Sequence, residues 1–460
     1  MKDMSLNQIA RACGGTYTGE DSKRHLEVSG IVIDSRKVEP GYLFIAIKGE
    51  RADGHSFIPS VFAKGAACVL CERAPGHPAG PYILVESCLE ALKSLAEYYR
   101  STLSIPIVGI TGSVGKTSTK EMIASVLEQK YKVLKTEGNF NNEIGLPLTI
   151  FRIREEHEAA VLEMGISDFG EMTRLSRMAK PNLCVITNIG LCHLENLKDR
   201  DGILKAKTEM FGEAQPGAQV ILNGDDDKLI TLRESRTPTP CFFGLEPSND
   251  LYAEQIENLG LDGTRCTFVT RAGSFTAHIP IPGRHMVYNA LAGIAVGLAL
   301  DLTLEQIRTG IESLTPVSGR NNLIHTEKWT ILDDCYNANP VSMCASLDVL
   351  SCALGRKVAV LGDMGELGEN EKLLHYNVGC HAADAGIDAV FLVGGLSKET
   401  ARGIGAKNPS LTFRHFDTRE ELISALPLLL SKGDSILVKA SHFMEFEKIV
   451  DYLRKTGNEP

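Results

Sequence analysis

Residues 107–120 read Ile-Val-Gly-Ile-Thr-Gly-Ser-Val-Gly-Lys-Thr-Ser-Thr-Lys. A short apolar run, of the length of a strand, leads into a glycine-containing loop, and a helical pattern follows the loop. Glycines allow the backbone N–H groups of such a loop to curl around phosphate oxygens, and the N-terminus of the next helix adds partial positive charge. The stretch therefore predicts a strand, a phosphate-binding loop and a helix, which is the arrangement of a P-loop nucleotide site.

The residues of this loop have separate expected roles. Lys116 is placed to reach the outer phosphates of a nucleoside triphosphate, and the Thr117 hydroxyl is placed to bind Mg²⁺. Ile110 stands where the common Walker pattern has its first glycine, so the loop departs from the usual form. A glycine-rich turn with a chance lysine is the alternative, and the strand-loop-helix context disfavours it. ATP contacts are predicted from Gly112, Ser113, Val114, Gly115, Lys116, Thr117 and Ser118.

Outward from the loop, short apolar runs alternate with helical patterns, which predicts βαβ units and a mainly parallel sheet. A chain of 460 residues is also too long for one ordinary core. We predict an α/β protein of three domains: a first domain at 1–86, a central P-loop ATPase domain at 87–316, and a C-terminal Rossmann-like domain at 317–460. Strand candidates lie at 28–33, 43–47, 82–85, 107–110, 159–164, 183–189, 219–223, 330–333, 357–361, 389–393 and 435–438.

Composition limits the classes of partner and compartment. A formal net charge of −10 argues against general affinity for nucleic acid or for anionic membranes, because both require a basic surface. No apolar segment follows the first residues, and the longest apolar stretch, 291–300, is too short to cross a bilayer. The twelve cysteines are scattered along a chain that shows no export signal, which favours reduced thiols. We expect a cytoplasmic protein that neither binds nucleic acid nor inserts stably into a membrane.

Two polar residues follow strand candidates where a parallel sheet collects its ligands. Glu163 ends the apolar run 159–162, and His193 follows the run 185–188 after a short turn. Alone, each is more simply interpreted as a surface or capping residue. With a phosphate loop in the same sheet, the two predict ligands for Mg²⁺, which keeps several waters and needs few protein carboxylates. Lys207 lies on a predicted helix, where the residue pattern alone indicates a solvated surface charge.

Taken together, these motifs resemble those of the Mur ligase family. The resemblance covers essentially the whole chain, and the segments occur in the family's order: Thr111–Thr117, Glu163–Gly165, Thr187–Gly190 with His193, Lys207, Gly283–His285 with Asn289–Ala292, and Gly319–Arg320.

The resemblance implies ATP and Mg²⁺ as cofactors and a reaction through an acyl phosphate. It implies that Lys116, Lys207 and His193 are catalytic, with Lys207 carbamylated so that the carbamate helps to hold Mg²⁺. It also implies that Asn289 contacts adenine and that Arg320 reaches the ATP phosphates; a surface salt bridge is the alternative for Arg320. The implied metal ligands are Thr117, Glu163, His193 and Lys207.

Further segments resemble the family members that join D-alanyl-D-alanine to UDP-N-acetylmuramoyl-tripeptide: Asp34–Arg36, Lys48–His55, Gly138–Gly145, Asp333–Pro340 and Gly362–Gly368. The resemblance implies these two substrates, and we expect a monomer. It places UDP on the first domain and the dipeptide on the last. Without it, the segment Asp34–Arg36 would be a plain turn, and Asp334 and Tyr336 would cap a helix. The implied substrate-binding residues are Ser35, Arg36, Asn139, Asn142, Asp334 and Tyr336.

Two positions depart from the family pattern. Met286 replaces a usual asparagine, which leaves Asn289 as the adenine contact, and His442 stands where many relatives have arginine.

Two other classes of protein compete with the Mur ligase interpretation. A folylpolyglutamate-type ligase would share the phosphate loop but lacks a first domain such as 1–86. A P-loop switch or motor would need a device that positions a hydrolytic water and a partner surface, and the sequence shows no signal for either.

Overall fold

The computed structural model describes residues 1, 3–49, 52–234 and 239–458. Glu50 and Arg51, which belong to one of the segments that resemble the Mur family, lie outside these described residues. The described chain forms three β-sheets of five, nine and six strands with helices between them, which confirms the predicted α/β class. It folds into two compact units, described separately below: residues 1–111, 130–185 and 206–220, and residues 112–129, 186–205 and 221–460.

The first unit begins with a five-stranded sheet in the order β1-β5-β4-β3-β2. Only its edge pair β1 and β5 is antiparallel. A capping box between Ser5 and Gln8 starts the first helix, because it satisfies N–H groups that the helix leaves free. The elements are α1 (Leu6–Ala12), β1 (Thr16–Thr18), β2 (Gly30–Val32), β3 (Tyr42–Ile45), α2 (Ile58–Ala63), β4 (Cys68–Cys71), β5 (Tyr82–Leu84) and α3 (Cys88–Ser101).

The same unit contains the strand that leads into the phosphate loop. Four strands lie in the order β7-β8-β6-β9, and β8 pairs in parallel with both β6 and β7. Every residue of β6, β8 and β9 is buried, which explains their continuous apolar runs. The elements are β6 (Ile107–Thr111), α4 (Lys116–Leu127, in the second unit), β7 (Val133–Lys135), α5 (Gly145–Ile150), β8 (Ala159–Glu163), α6 (Glu171–Ala179) and β9 (Leu183–Ile186).

The second unit contains a run of strands that the sequence analysis missed after residue 223. In the order β10-β11-β12-β13-β14, the first two pairings are parallel and the last two antiparallel. Strand β12 buries only two of its eight residues, so its apolar signal is weak. The elements that lie wholly or partly in this unit are α7 (Leu194–Leu197), α8 (Arg200–Thr208), β10 (Gln219–Asn223), β11 (Cys241–Gly244), β12 (Leu251–Asn258), β13 (Thr264–Thr270), β14 (Gly273–Ile279), α9 (His285–Ala299) and α10 (Leu304–Glu312).

The last part of the second unit is a doubly wound sheet in the order β15-β16-β20-β17-β18-β19, antiparallel only at β15. Neighbouring strand residues Ile331 and Leu332 pack into different apolar cores, so both faces of the sheet are covered. The elements are β15 (Asn322–His325), β16 (Thr330–Asp333), α11 (Pro340–Ser351), β17 (Lys357–Gly362), α12 (Glu371–Asp384), β18 (Ala389–Val393), α13 (Ser397–Lys407), β19 (Thr412–Phe416), α14 (Arg419–Leu429), β20 (Ser435–Lys439) and α15 (Glu447–Gly457).

Across the described residues, no helix combines the length and apolar character needed to traverse a bilayer.

Candidate nucleotide-binding and catalytic site

The phosphate loop between β6 and α4 is shaped by two glycines. At Gly112, with φ +153°, a Cβ atom would lie 1.9 Å from Thr187 Oγ1, so no side chain fits. Gly115, with φ +84°, adopts the left-handed conformation and directly precedes α4. Glycine adopts this conformation without steric cost, which lets the chain turn sharply into the helix. The predicted strand, loop and helix are confirmed.

The loop that follows β9 holds the phosphate loop from one side. The Asn188 side chain accepts the Val114 N–H at 3.0 Å and donates to the Val114 carbonyl at 2.9 Å. The Thr187 hydroxyl donates to the same carbonyl at 2.7 Å. Ser113 Oγ donates to the Gly190 carbonyl at 3.0 Å and accepts the Gly190 N–H at 2.9 Å. These bonds fix the peptide groups of the loop, a role that the sequence analysis did not assign to Thr187 or Asn188.

Replacing Gly112 by alanine is expected to weaken ADP binding at least about tenfold and to destabilise the fold. The added methyl group collides with Thr187, and overpacking of this kind costs about 1–3 kcal/mol. Titration calorimetry with ADP and thermal unfolding measure the two effects. Gly76→Ala is the matched control, since a Cβ there meets nothing within 4 Å. Unchanged ADP affinity in the Gly112 variant would contradict the described loop geometry.

Arg320 is brought to the phosphate loop within the second unit. Lys116 donates from Nζ to the Gly112 carbonyl at 2.9 Å, so its amino group lies across the loop. The Thr117 hydroxyl lies 3.5 Å from a guanidinium nitrogen of Arg320. The Arg320 guanidinium lies 4.2 Å from the centre of the Tyr336 ring, whose centre lies 5.4 Å from that of the tilted His442 ring. A cation and two aromatic rings therefore continue from the loop into the C-terminal region.

A cavity of about 560 Å³ lies beside the phosphate loop, entirely within the second unit. Its volume is in the range of small-molecule sites. Five of the predicted loop and nucleotide contacts line it together with Asp334, and polar groups from several elements converge on it. Among the lining residues are Val114, Gly115, Ser118, Asn289, Arg320 and Asp334.

Asn289 lines this cavity but is already hydrogen-bonded within the protein. Its Oδ1 accepts the Thr119 hydroxyl of α4 at 2.9 Å, and its Nδ2 lies 3.2 Å from Met286 Sδ. Residue 286, where the sequence departs from the family pattern, therefore supplies a sulfur acceptor to this amide. The adenine contact of Asn289 stays a prediction.

Asp334 is at the centre of a buried polar network. Its carboxylate accepts Lys439 Nζ at 2.5 Å, the Ser346 hydroxyl at 2.6 Å and the Asn321 N–H at 3.1 Å. Burial lowers the pKa of Lys439, and the adjacent Asp334 carboxylate opposes that shift. The Asn321 amide also contacts His285 Nε2 at 2.9 Å, and burial lowers the pKa of this imidazole. Asp334 thus organises the wall of the cavity as well as facing it.

Asp334→Ala is expected to cost about 3–5 kcal/mol of unfolding free energy, because it leaves the Lys439 ammonium buried without its carboxylate. Urea unfolding checks the value. The double variant Asp334→Leu with Lys439→Met removes both charges and should be markedly more stable than the single variant. A single variant as stable as the unmodified protein would show that the carboxylate acts on ligands alone.

Three predicted metal ligands occupy constrained positions. Glu163, at the end of β8, is 2% exposed, and its carboxylate accepts the Asn141 amide at 2.9 Å. Lys207 on α8 is 1% exposed, so the expectation of a solvated surface charge is wrong. His193 has φ +50° and pairs through Nδ1 with Glu366 at 2.9 Å. Within the described residues, no group of three or more His, Cys, Asp or Glu side chains forms a metal cluster.

The predicted substrate residues of the first unit lie outside its α-helices and strands, with Ser35 and Arg36 in a short 3-10 turn. Arg36 is exposed, and hydrogen bonds from its side chain and its backbone N–H to the Asp34 carboxylate lower the pKa of that carboxyl to about 2. The Ser35 carbonyl accepts Lys64 Nζ at 2.8 Å. Asn142 Oδ1 accepts two backbone N–H groups at the start of α5, and Asn139 is exposed. The substrate contacts of these residues stay predictions.

Three sequence profiles match the chain. They are the Mur ligase family catalytic domain over residues 27–100, the Mur ligase middle domain over residues 110–297, and the Mur ligase glutamate ligase domain over residues 319–442. The phosphate loop and the residues around it lie within the middle-domain match. The chain therefore belongs to the Mur ligase family.

Similar proteins match over nearly their full length. UDP-N-acetylmuramoyl-tripeptide–D-alanyl-D-alanine ligase of Bacillus subtilis is 39% identical over 451 residues, 97% of each chain. A crystal structure of MurF from Acinetobacter baumannii has a TM-score of 0.90 at 33% identity and covers 98% of this chain and 99% of its own. MurF ligase of Thermotoga maritima, in complex with ADP, has a TM-score of 0.82 at 32% identity, covering 93% and 97%.

Proposed function

We propose that this protein is an ATP-dependent ligase that joins D-alanyl-D-alanine to UDP-N-acetylmuramoyl-tripeptide in peptidoglycan precursor synthesis. The observation that carries the proposal is the 39% identity, over 97% of both chains, to a ligase of that name. The phosphate loop supplies the matching chemistry, since an anchored loop with Lys116 and Thr117 at the start of a helix is suited to a nucleoside triphosphate.

The chemistry requires activation of a carboxylate. An amine cannot displace oxide from a carboxylate, because oxide is a very poor leaving group. The terminal carboxylate of the tripeptide therefore attacks the γ-phosphorus of ATP, ADP leaves, and an acyl phosphate forms. The dipeptide amine then attacks the acyl carbon, the bond between that carbon and the phosphate oxygen breaks, and inorganic phosphate leaves while the nitrogen loses a proton.

The chain's own residues supply position and charge. Lys116 and Arg320 place two cations at the loop, where negative charge develops during phosphoryl transfer. The hydrogen bonds that Thr187 and Asn188 form with the Val114 N–H and carbonyl fix the loop backbone before any ligand arrives. Such an enzyme accelerates the reaction mainly by binding both reactants in fixed positions, so that they no longer have to meet by collision.

The donor chemistry of this chain fits Mg²⁺. The proposed ligands are the Thr117 hydroxyl, the buried Glu163 carboxylate, the His193 imidazole and a carbamate on Lys207. A lysine that is 1% exposed on a helix is not a solvated cation, and a carbamate would turn it into an oxygen donor. Bound Mg²⁺ would neutralise charge on the transferred phosphoryl group.

We assign UDP binding to domain 1–86 through Ser35 and Arg36, ATP to domain 87–316, and the dipeptide to domain 317–460 through Asp334 and Tyr336. Asn139 and Asn142 are proposed to contact substrate from their exposed loop. We further propose a monomer that works in the cytoplasm, where nucleotide-linked precursors are made. The net charge of −10 supports small-molecule substrates rather than nucleic acid.

Phosphate release with ATP, UDP-N-acetylmuramoyl-tripeptide and D-alanyl-D-alanine, each omitted in turn, tests the proposal. Sustained release is expected only with all three present, and mass spectrometry should then detect the UDP-linked pentapeptide. A P-loop switch would release phosphate from ATP without either cosubstrate. Sustained substrate-independent hydrolysis with no pentapeptide would therefore overturn the assignment.

A further inference from the structure

The segment Gly362–Gly368 is held by contacts on several sides. The Asp363 carboxylate accepts the N–H groups of Leu396 and Ser397 at 3.1 and 2.7 Å, at the start of α13. The Met364 N–H donates to the ring of buried His375 at 2.9 Å. The Gly365 N–H donates to Ser441 Oγ at 2.9 Å. Successive residues before Glu366 are thus tied to three different parts of the C-terminal region.

This held segment presents Glu366 to His193. Glu366 Oε2 lies 2.9 Å from His193 Nδ1, between residues 173 positions apart in the chain. Both residues are in the left-handed conformation, with φ +60° for Glu366 and +50° for His193. Gly368 lies near the start of α7, the helix that follows His193, since a Cβ at Gly368 would be 4.0 Å from the Glu195 backbone nitrogen.

Stability does not account for this pair. The Glu366 side chain is 74% exposed and that of His193 27% exposed, and exposed ion pairs stabilise proteins little. Residues other than glycine adopt the left-handed conformation at a cost, and such costs concentrate at functional sites. The effect of the contact is therefore on position: it orients the imidazole ring of His193.

We propose that Glu366 is a positioning residue for His193. By accepting the Nδ1–H it selects one neutral tautomer, and the other ring nitrogen, Nε2, is then the one left with a lone pair. Histidines that bind metals almost always donate their other ring N–H in this way, often to a carboxylate. The inference rests on the proposed function, in which His193 is an Mg²⁺ ligand.

The pair also links two parts of the reaction site. His193 follows β9, whereas Glu366 follows β17 of the C-terminal sheet. The tautomer is therefore selected only when segment Gly362–Gly368 lies against the start of α7, as it does here. Placement of the C-terminal region therefore also orients the imidazole. The proposed metal ligand is oriented when the proposed dipeptide-binding region is in place.

The tautomer itself can be measured by ¹⁵N NMR of metal-free, full-length protein with labelled histidines, at about pH 8, which is above the ordinary pKa of a histidine side chain. The His193 signals are assigned by their loss in His193→Gln. Unmodified protein should show the Nδ1–H tautomer, and Glu366→Ala should shift His193 toward Nε2–H. Glu366→Gln, whose amide oxygen still accepts a hydrogen bond from Nδ1–H, should keep the first tautomer. Glu369→Ala, an exposed glutamate three residues on, is the control.

Metal affinity gives the second readout, with Mn²⁺ replacing Mg²⁺ in the presence of ADP and binding followed by electron paramagnetic resonance. Glu366→Ala should weaken Mn²⁺ binding about tenfold, the lower end of the range for partners of metal ligands. An unchanged tautomer, or unchanged Mn²⁺ affinity despite a changed tautomer, would overturn the proposal. If His193→Gln leaves Mn²⁺ affinity intact, His193 is not a metal ligand, and that part of the proposed function is wrong. Glu366 then cannot position a metal ligand either.

Discussion

Lys116→Ala is expected to lower turnover by at least about 10²- to 10³-fold while the protein stays folded. The Lys116 amino group bonds to the Gly112 carbonyl within the phosphate loop and is not part of an apolar core. Its removal takes a cation from the place where charge develops on the transferred phosphoryl group, and loss of one such group costs about this factor. Steady-state phosphate release measures the loss, and circular dichroism checks the fold.

A lysine far from the loop provides the control for this variant. Lys398, on α13, is exposed and pairs with Asp417 at 3.1 Å, so Lys398→Ala should keep full activity. Lys116→Arg retains a charge but presents a larger, planar group, and it should recover only part of the activity. Near-normal turnover in a well-folded Lys116→Ala protein would remove the basis for the ATP site.

Lys207→Ala is expected to lose about 10²-fold or more in activity and to regain part of it when acetate or formate is added. Lys207 is 1% exposed on α8, and the proposed carbamate on its nitrogen supplies carboxylate-like oxygens to Mg²⁺. A short carboxylate that enters the space left by the side chain supplies similar oxygens. Activity is measured against carboxylate concentration.

The neighbouring Lys205 offers a matched control, because it lies two residues earlier on the same helix and is exposed. Lys205→Ala should be active and insensitive to added carboxylate. Thermal unfolding of Lys207→Ala separates loss of a buried side chain from loss of chemistry. A folded Lys207→Ala protein with full activity, or one that no carboxylate rescues, would contradict the carbamate.

The phosphate loop could be predicted from sequence because its signal is local. Glycine spacing, a preceding apolar strand and a following helix all lie within residues 107–127. Strands of the C-terminal sheet were also predictable, because burial on both faces makes them continuous apolar runs. Strands β12 to β14 were missed, since they are partly exposed and many of their residues are polar.

The contacts that define the site depend on tertiary structure and could not be read from spacing. Asn188 anchors Val114 across 74 positions, and Glu366 reaches His193 across 173. Lys207 shows the limit most clearly, because a lysine on a helix is normally solvated and only the folded chain reveals its burial. The family resemblance, which implied a role for that lysine, was more informative here than its local pattern.

Transfer of isotopic oxygen from substrate to phosphate shows whether the carboxylate is activated as an acyl phosphate. UDP-N-acetylmuramoyl-tripeptide labelled with ¹⁸O at both oxygens of its terminal carboxylate is converted with ATP and D-alanyl-D-alanine, and the released phosphate is examined by mass spectrometry. We expect one ¹⁸O atom in the phosphate for each labelled carboxylate consumed, because the carboxylate oxygen that attacks phosphorus leaves with it. Formation of the pentapeptide with unlabelled phosphate would contradict the acyl phosphate and the mechanism built on it.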